Sequence, residues 1–433
     1  MGQSECDDID LSNCDRPWNV LLRIHRSSRK VKERRKYWRP VVVKLEEASL
    51  KFHADDFESF PPFHVEPLLW SHGFTVPNYK DSTGGYRRLL TSTLFNSTRG
   101  TTTLKRVFTT CPSMRKKAGL KVAKIGCTNH KALRDLIDTV QRCIFSFPGF
   151  RQRGIRYRKD RIFVDVQEVY EGVQNERESE IKAVTHVHVK VKALVSGSPK
   201  CSLSLNNSSS FGEQEAGAAK ISFHKCVQEK KQLRPLVVTF VPLDNCWFEV
   251  IQMQSVSCKP PVLRCQVSLV VHVSTQIELR VQLFATTSEA LPEAAPLKNV
   301  VLRFRVPLSM FKEGLVGNFV KNTHVSKGKL DFSSSNETML WSISKLPLKT
   351  GKKFLSKHRE LPLASFSSHF NPTRSFNADD FTKEPVYMDF MIRRKNMVAI
   401  EEITLESEKF HNLKTNYSSF FRVSIPVPVF RIS

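Results

Sequence analysis

The sequence predicts a mainly β protein: an N-terminal barrel with one closing helix, followed by an elongated antiparallel β-sandwich. Short apolar runs that alternate with polar residues recur along the chain, as in half-buried strands. Only Asn129–Phe147 shows the three- and four-residue apolar spacing of an amphipathic helix. With 433 residues and 40% hydrophobic content, the chain can bury more than one core.

The first part of the chain has the pattern of a small barrel. Residues 1–16 are polar and acidic and are predicted to form a disordered tail. From Pro17, the runs WNVLLRIHR and YWRPVVVKLEEASLKFH flank a basic turn and predict antiparallel strands. The helix follows, with Thr128 or Asn129 as its N-cap. Residues 17–149 therefore suggest a pleckstrin-homology-like barrel. A tryptophan commonly packs under such a barrel from the closing helix, but this helix has none.

The second part of the chain is predicted to be the sandwich. Residues 150–160 are strongly basic and predict a solvated linker, or else a patch that faces lipid or a partner. From residue 161 to 433, short alternating segments are separated by Pro and Gly. His186 and His188 have a spacing that can ligate a metal, but no third ligand is evident, so we expect an exposed strand face and no metal.

Charge and composition narrow the functional classes. The net charge is +25, and the first 160 residues hold 31 Lys and Arg against 16 Asp and Glu. Such a surface favours acidic partners, including anionic lipid. Ten cysteines without a CxxC pair predict free thiols in a reducing cytosol. No apolar run reaches the length of a membrane helix. No phosphate-binding loop or nucleophile elbow is present, so we expect neither an enzyme nor a cofactor.

Four segments, in order, resemble the signature of the mu-homology domain of clathrin-adaptor medium chains. They are RIFVDVQEV from Arg161, KALVSGSPKCSLSLNN from Lys192, FHKCV from Phe223 and VTFVPLDNCWFEVIQMQ from Val238. LWSISKLP from Leu340 resembles the late Trp-centred strand of that domain. In the first part, WNVLLR and YWRPVVVKL resemble the stonin-homology region. The chain is thus similar to the stonin family, with a stonin-homology domain at 17–149 and a mu-homology domain at 161–433.

The resemblance implies a non-enzymatic endocytic adaptor. Such a protein would link transmembrane cargo, notably synaptotagmin-like proteins, to a clathrin adaptor complex and the clathrin-coated vesicle machinery. It would be cytoplasmic and peripheral on the plasma membrane at clathrin-coated pits. One alternative is a structural medium-chain-type subunit of an adaptor complex, which would begin with a longin domain. Another is a basic phosphoinositide- or nucleic-acid-binding protein, although few aromatic residues are interleaved with the basic ones, which argues against nucleic acid.

The resemblance also implies a cargo-binding pocket for a tyrosine-based signal. Its aromatic floor would be Phe163, its hydroxyl acceptor Asp165, and its lysine Lys192. The family's usual Trp-x-Arg pair would fall on Phe420 and Arg422, where Phe replaces Trp and offers less stacking area. The alternative is that Phe163 and Asp165 belong to an ordinary half-buried strand.

A second candidate site is the basic turn between the first two predicted strands. In a pleckstrin-type barrel this turn binds phosphoinositide phosphates, because clustered cations offset the dehydration of a multivalent anion. A solvated hairpin turn is the alternative interpretation. The residues concerned are Arg26, Arg29, Lys30, Lys32, Arg34, Arg35, Lys36 and Arg39.

Overall fold

Strands dominate the structure throughout. A computed structural model describes residues 14–24, 38–54, 61–75, 77–80, 89–96, 120–147, 149, 151, 154, 156–174, 181–207, 219–231, 235–257, 262–272, 277–285, 296–307, 323–333, 337–347, 362–370, 381, 384–393, 398–427 and 429–432. Within these ranges the elements are 27 strands and the helix α1 (His130–Phe145). The predicted mainly β fold class is confirmed.

The N-terminal part forms an eight-stranded sheet that ends with α1. The sheet path is β4-β3-β2-β1-β8-β7-β5, and β6 pairs with β7. Among the described residues β4 and β5 do not pair, so the sheet is open rather than the closed barrel that the sequence predicted. β1 begins at Cys14, inside the predicted tail. The strands are β1 (Cys14–Ile24), β2 (Arg39–Glu46), β3 (Ser49–His53), β4 (His64–Pro67), β5 (His72–Phe74), β6 (Asn78–Lys80), β7 (Leu89–Asn96) and β8 (Leu120–Cys127).

The helix α1 packs on this sheet as its apolar spacing predicts. Its N-cap is Asn129, whose side chain accepts a hydrogen bond from the Ala132 amide at 3.2 Å. Leu133 and Leu136 are fully buried in the N-terminal core. The tryptophan absent from the helix is supplied by β1 instead, since the buried Trp18 donates its indole N–H to Asp135 on the helix at 2.9 Å.

The remaining strands form three further sheets. A nine-stranded sheet has the order β12-β15-β10-β9-β26-β23-β18-β21-β20, and two five-stranded sheets have the orders β13-β14-β11-β24-β25 and β19-β22-β17-β16-β27. The strands are β9 (Arg161–Gln174), β10 (Ile181–Leu194), β11 (Cys201–Asn207), β12 (Ala219–Phe223), β13 (Val227–Lys231), β14 (Leu236–Phe240), β15 (Phe248–Ser257), β16 (Leu263–His272), β17 (Ile277–Ala285), β18 (Leu297–Arg305), β19 (His324–Val325), β20 (Lys329–Ser333), β21 (Thr338–Leu346), β22 (Ala364–Phe370), β23 (Val386–Ile392), β24 (Val398–Leu405), β25 (Glu408–Lys409), β26 (Leu413–Ile425) and β27 (Val429–Ile432).

The nine-stranded sheet contributes to two hydrophobic cores. Its β9, β10 and β15 pack against the sheet that contains β11 and β14. Its β18, β21 and β23 pack against the sheet that contains β16 and β17. The result is a pair of sandwiches joined by one continuous sheet. The sandwich is not wholly antiparallel, because β9 pairs with β26 in parallel and so does β16 with β27.

Two of the sequence signatures now have a structural explanation. In FHKCV, the turn between β12 and β13 is fixed by the buried His224, whose Nδ1 accepts the Cys226 amide at 3.1 Å and whose carbonyl accepts the Val227 amide at 3.0 Å. In LWSISKLP, Trp341 is fully buried in the second sandwich and donates its indole N–H to the Lys327 carbonyl at 2.8 Å.

Candidate functional site

Three of the predicted cargo-binding residues lie together on the outer face of the nine-stranded sheet. Phe163 and Asp165 alternate with buried residues along β9, so their side chains point away from the core. The strand register places Lys192 of β10 directly opposite Phe163. All three side chains are half-buried.

The other flank of this cluster comes from β26. Its parallel register places Lys414 opposite Phe163 and Asn416 opposite Asp165. Asp165 accepts hydrogen bonds from the Gln167 amide group at 2.6 Å and from the Asn416 amide group. The sequence analysis missed Lys414 and Asn416, because their proximity to β9 depends on a pairing across 251 residues.

Phe420 and Arg422 do not join the cluster. They lie opposite Val169 and Glu171, six and eight residues along β26 from Lys414. At the rise of a strand these separations are about 20 and 27 Å. Arg422 is instead held by Glu171 at 2.7 Å and lies 3.8 Å from Asp389 of β23. The structure therefore separates the predicted Phe-x-Arg pair from the pocket residues.

The helix α1 occupies the sheet face near Arg422. At one end, Arg134 donates to both carboxylate oxygens of Asp389 at 3.0 and 3.2 Å. At the other end, the Phe145 ring meets His224 edge-on, with 5.7 Å between ring centroids. From Arg134 to Phe145 the helix rises over eleven residues, which is about 16 Å. The distance across the sheet from β23 to β15 is four strand spacings, or about 19 Å, so the two lengths are comparable. The helix thus crosses β23, β26, β9, β10 and β15 and holds the two parts of the chain together.

A stretch of open strand edge borders the cluster. On the side of β26 that faces away from β9, β23 pairs with the second half of the strand, from Ser419 to Ile425, and not with the first half. Among the described residues, the first half, Leu413–Ser418, pairs with β9 alone. The Ile162 amide donates to the Asn412 carbonyl, and alternation along the strand then turns the Thr415 N–H and C=O away from β9. Lys414, Thr415 and Asn416 are exposed. In the sequence, this open edge is indicated only by the run of polar residues in the first half of β26.

Within the segment predicted as a solvated linker, Arg151 and Tyr157 contact the mu-homology part, while Arg156, Arg158 and Lys159 are exposed. The Arg151 guanidinium donates to the carbonyls of Val195, Gly197 and Pro242 at 2.5, 2.7 and 2.7 Å. It also lies 3.7 Å from Asp244, which accepts the Tyr157 hydroxyl at 2.8 Å. Burial raises the pKa of Tyr157, and the Asp244 hydrogen bond adds to this effect. This arrangement anchors the segment beside the end of β10.

Most of the predicted lipid-binding turn lies outside the described residues. Arg26, Arg29, Lys30, Lys32, Arg34, Arg35 and Lys36 belong to this group. Arg39 is described and is exposed at the start of β2. The strand ends next to the turn are basic as well, since Arg23 of β1 pairs with Lys124 of β8, whose ammonium lies 5.1 Å from the Trp38 ring centroid.

The described residues offer little for catalysis or metal binding. His186 and His188 lie on the outer face of β10, and His188 Nδ1 is 2.5 Å from Glu249. No group of three metal-ligating side chains occurs in the described part. Burial raises the pKa of the Cys201 and Cys226 thiols to about 12, so neither is a reactive thiolate at neutral pH. Within the described ranges no helix has the length and apolarity of a bilayer span.

Paired sandwiches with a polar, partly open outer face define a binding domain of the mu-homology class. Comparison with known proteins gives the family: residues 148–424 match the adaptor complexes medium subunit family. This is well over half of the 433-residue chain, and the chain belongs to that family. The predicted relation to stonins with a mu-homology domain is confirmed as well, because the similarity to Stonin-2 extends over 90% of the chain.

The relatives differ in how much of each protein is matched. Stonin-2 of Homo sapiens is 24% identical over 90% of this chain and 50% of its own length. Stonin-1 of Mus musculus is 21% identical over 52% of this chain and 37% of its own. AP-1 complex subunit mu-1-I of Caenorhabditis elegans is 22% identical over 49% of each. The chain thus spans half or less of these curated relatives. Among solved structures, the yeast delta-COP-I mu-homology domain with a Dsl1 WxWxV peptide covers 64% of this chain and all of its own, at 10% identity and a TM-score of 0.42.

Proposed function

We propose that the protein is a non-enzymatic endocytic sorting adaptor that binds an extended segment of transmembrane cargo at the open edge of β26. The supporting observation is the edge Leu413–Ser418 beside Phe163, Asp165 and Lys192. An extended peptide can add to such an edge through main-chain hydrogen bonds, while neighbouring side chains select its sequence. The relation to stonins supports three further parts of the proposal. The cargo is synaptotagmin-like, the partner is the clathrin adaptor complex, and the location is the plasma membrane at clathrin-coated pits.

A proline at position 415 tests this binding mode. Thr415→Pro removes the backbone N–H that points away from β9. Thr415→Val is the control, because it also removes the threonine hydroxyl but keeps the backbone N–H. The assay is binding of the full chain to the immobilised cytosolic part of a synaptotagmin-type protein. We expect Thr415→Pro to weaken binding at least tenfold and Thr415→Val to leave it near the wild-type value. Equal binding by both variants would overturn strand addition at this edge.

Membrane attachment is a separate part of the proposal. The basic turn and its flanking Arg23, Arg39 and Lys124 would place the N-terminal part on phosphoinositide-containing membrane, since each basic group near an anionic surface contributes about 1 kcal/mol. Charge reversal of Arg34 and Arg35 should abolish sedimentation with phosphatidylinositol-bisphosphate vesicles. If it also abolished cargo binding, the two parts would not act separately.

The alternative of a structural adaptor-complex subunit makes a different prediction. A subunit of that type would begin with a longin domain, which mixes several helices with strands. The described N-terminal residues instead form eight strands and one helix, which supports the sorting-adaptor proposal. Recovery of the full chain from cells in a stoichiometric complex with two large chains and a small chain would favour the subunit alternative.

A further inference from the structure

We infer that the β26 edge selects peptides with acidic side chains rather than tyrosine signals. This inference rests on the proposed function, because it concerns the specificity of the same edge. It derives from the charges that the strand register assembles around Phe163, most of which come from β10 and β26 rather than from β9.

Basic residues surround Phe163 on the outer face. Lys192 and Lys414 flank it from the two neighbouring strands, at about 5 Å strand spacing on either side. Arg161 lies two residues before it on the same face of β9. In the next row Lys190 lies opposite Asp165 and donates to Gln167 at 3.2 Å. Among the described residues of β9, β10 and β26 in these rows, four cations share the outer face with the Asp165 carboxylate, and Glu249 of β15 lies opposite Lys190.

The described acidic groups Asp165 and Asp244 already have hydrogen-bond partners. Asp165 accepts the amide groups of Gln167 and Asn416 on its two oxygens. Asp244, which bridges to Ala193 beside the end of β10, accepts the Tyr157 hydroxyl and lies 3.7 Å from Arg151. The local field at the edge is therefore positive, and it favours a peptide that brings carboxylates.

On the β26 side of Phe163, the described residues provide no aromatic wall for a tyrosine pocket. A ligand ring on Phe163 would meet Lys414 and Asn416 on its β26 side, and neither offers an aromatic face. The amide of Asn416 also bonds the carboxylate that would accept a tyrosine hydroxyl. By contrast, a Glu on the added strand two residues from the position opposite Lys414 lies diagonal to this lysine, within reach of a favourable cross-strand pair. The occupant is thus an extended acidic segment, with an apolar side chain over Phe163.

Synthetic peptides can test this selectivity on the full chain. The probe is a fluorescent nine-residue extended peptide with a central Phe and a Glu two residues to either side, so that all three share one face. Matched probes replace both Glu with Gln or with Lys, or the Phe with Tyr. Anisotropy at low salt should give at least fivefold tighter binding of the Glu peptide than of the Gln peptide, weaker still for Lys, with no gain from Tyr.

Protein variants give the matching arm of the experiment. Lys414→Glu and Lys192→Glu should each remove the preference for Glu over Gln, and Asn416→Trp should shift preference toward the Tyr probe. Lys345→Glu is the control, because it makes the same charge change on an exposed position of β21 in the other sandwich. Thermal melts of each variant establish that it is folded.

The outcomes separate this inference from the proposed function. Equal binding of Glu and Gln peptides, both lost in Thr415→Pro, would overturn acid selectivity and retain strand addition. Preference for the Tyr probe by the wild-type chain would overturn it as well. Loss of the Glu preference in Lys345→Glu would show a general charge effect and also overturn it. If no peptide of the set bound at any concentration, both the selectivity and the strand-addition proposal would fall.

Discussion

His224 should make the stability of this protein depend on pH. The ring is almost fully buried between Phe145 of α1 and Phe248 of β15. Its Nδ1 accepts the Cys226 amide, so the neutral ring carries its proton on Nε2. Burial lowers the pKa of His224 from 6.5 to about 4. The charged ring is thus disfavoured in the folded protein.

The sign and size of the effect follow from these two values. Between pH 6.5 and about 4 the unfolded chain binds the proton and the folded protein does not, so the free energy of unfolding falls as the pH is lowered through this window. The full difference corresponds to roughly 3 kcal/mol. Below pH 4 both states are protonated at this residue and its contribution levels off.

The variant His224→Asn isolates this contribution. Asn can still accept the Cys226 amide but does not titrate, and it loses the two ring contacts, each worth about 1 kcal/mol. We expect it to be less stable than the wild type at pH 7.5 and to lose less stability on acidification to pH 4. Urea unfolding at each pH measures this, and hydrogen exchange of the Cys226 amide reports the local bond. Parallel pH curves for the two proteins would refute the argument.

Three further perturbations test the packing of the chain. Arg151→Ala leaves three carbonyls without their donor and should lower the free energy of unfolding by about 3 kcal/mol. The control Lys159→Ala, at an exposed position, should change it by less than about 0.5 kcal/mol. Urea unfolding of the two variants and the wild type measures both effects. A double-mutant cycle on Arg134→Ala and Asp389→Ala should give a coupling of about 1 kcal/mol and faster hydrogen exchange in α1, and a coupling near zero would contradict the docked helix. Trp341→Ala should destabilise by about 3–5 kcal/mol and Trp341→Phe by about 1–2 kcal/mol, and similar melting temperatures for both would contradict a core role.

Local pattern was enough to locate the helix and some of the strands. The spacing of Leu133 and Leu136 predicted the helix within two residues at each end, and its N-cap Asn129 was among the two candidates. The two-residue spacing of Phe163 and Asp165 predicted that they share one side of a strand, and both lie on the outer face of β9. Both signals depend on neighbours in the sequence, where side-chain direction is set by the element itself.

The sequence could not supply which strands pair, or in what register. Alternation gives the faces of a strand but neither its partner nor its direction, so the parallel pairing of β9 with β26 was missed. Phe420 and Arg422 matched a Phe-x-Arg spacing, yet that spacing carries no information about a strand far away in the chain. The same reason hid Lys414 and Asn416, and it hid the contact of Arg134 with Asp389 across 255 residues.

The parallel pairing of β9 with β26 has a consequence for synthesis. During translation β9 emerges long before β26, which lies 251 residues later by the Asn416–Asp165 contact. Until then β9 lacks one of its two partners, and β23 has no neighbour to connect it to β9. Such long-range closure is entropically costly and slow. The nascent chain therefore holds two incomplete half-sheets until β26 has left the ribosome.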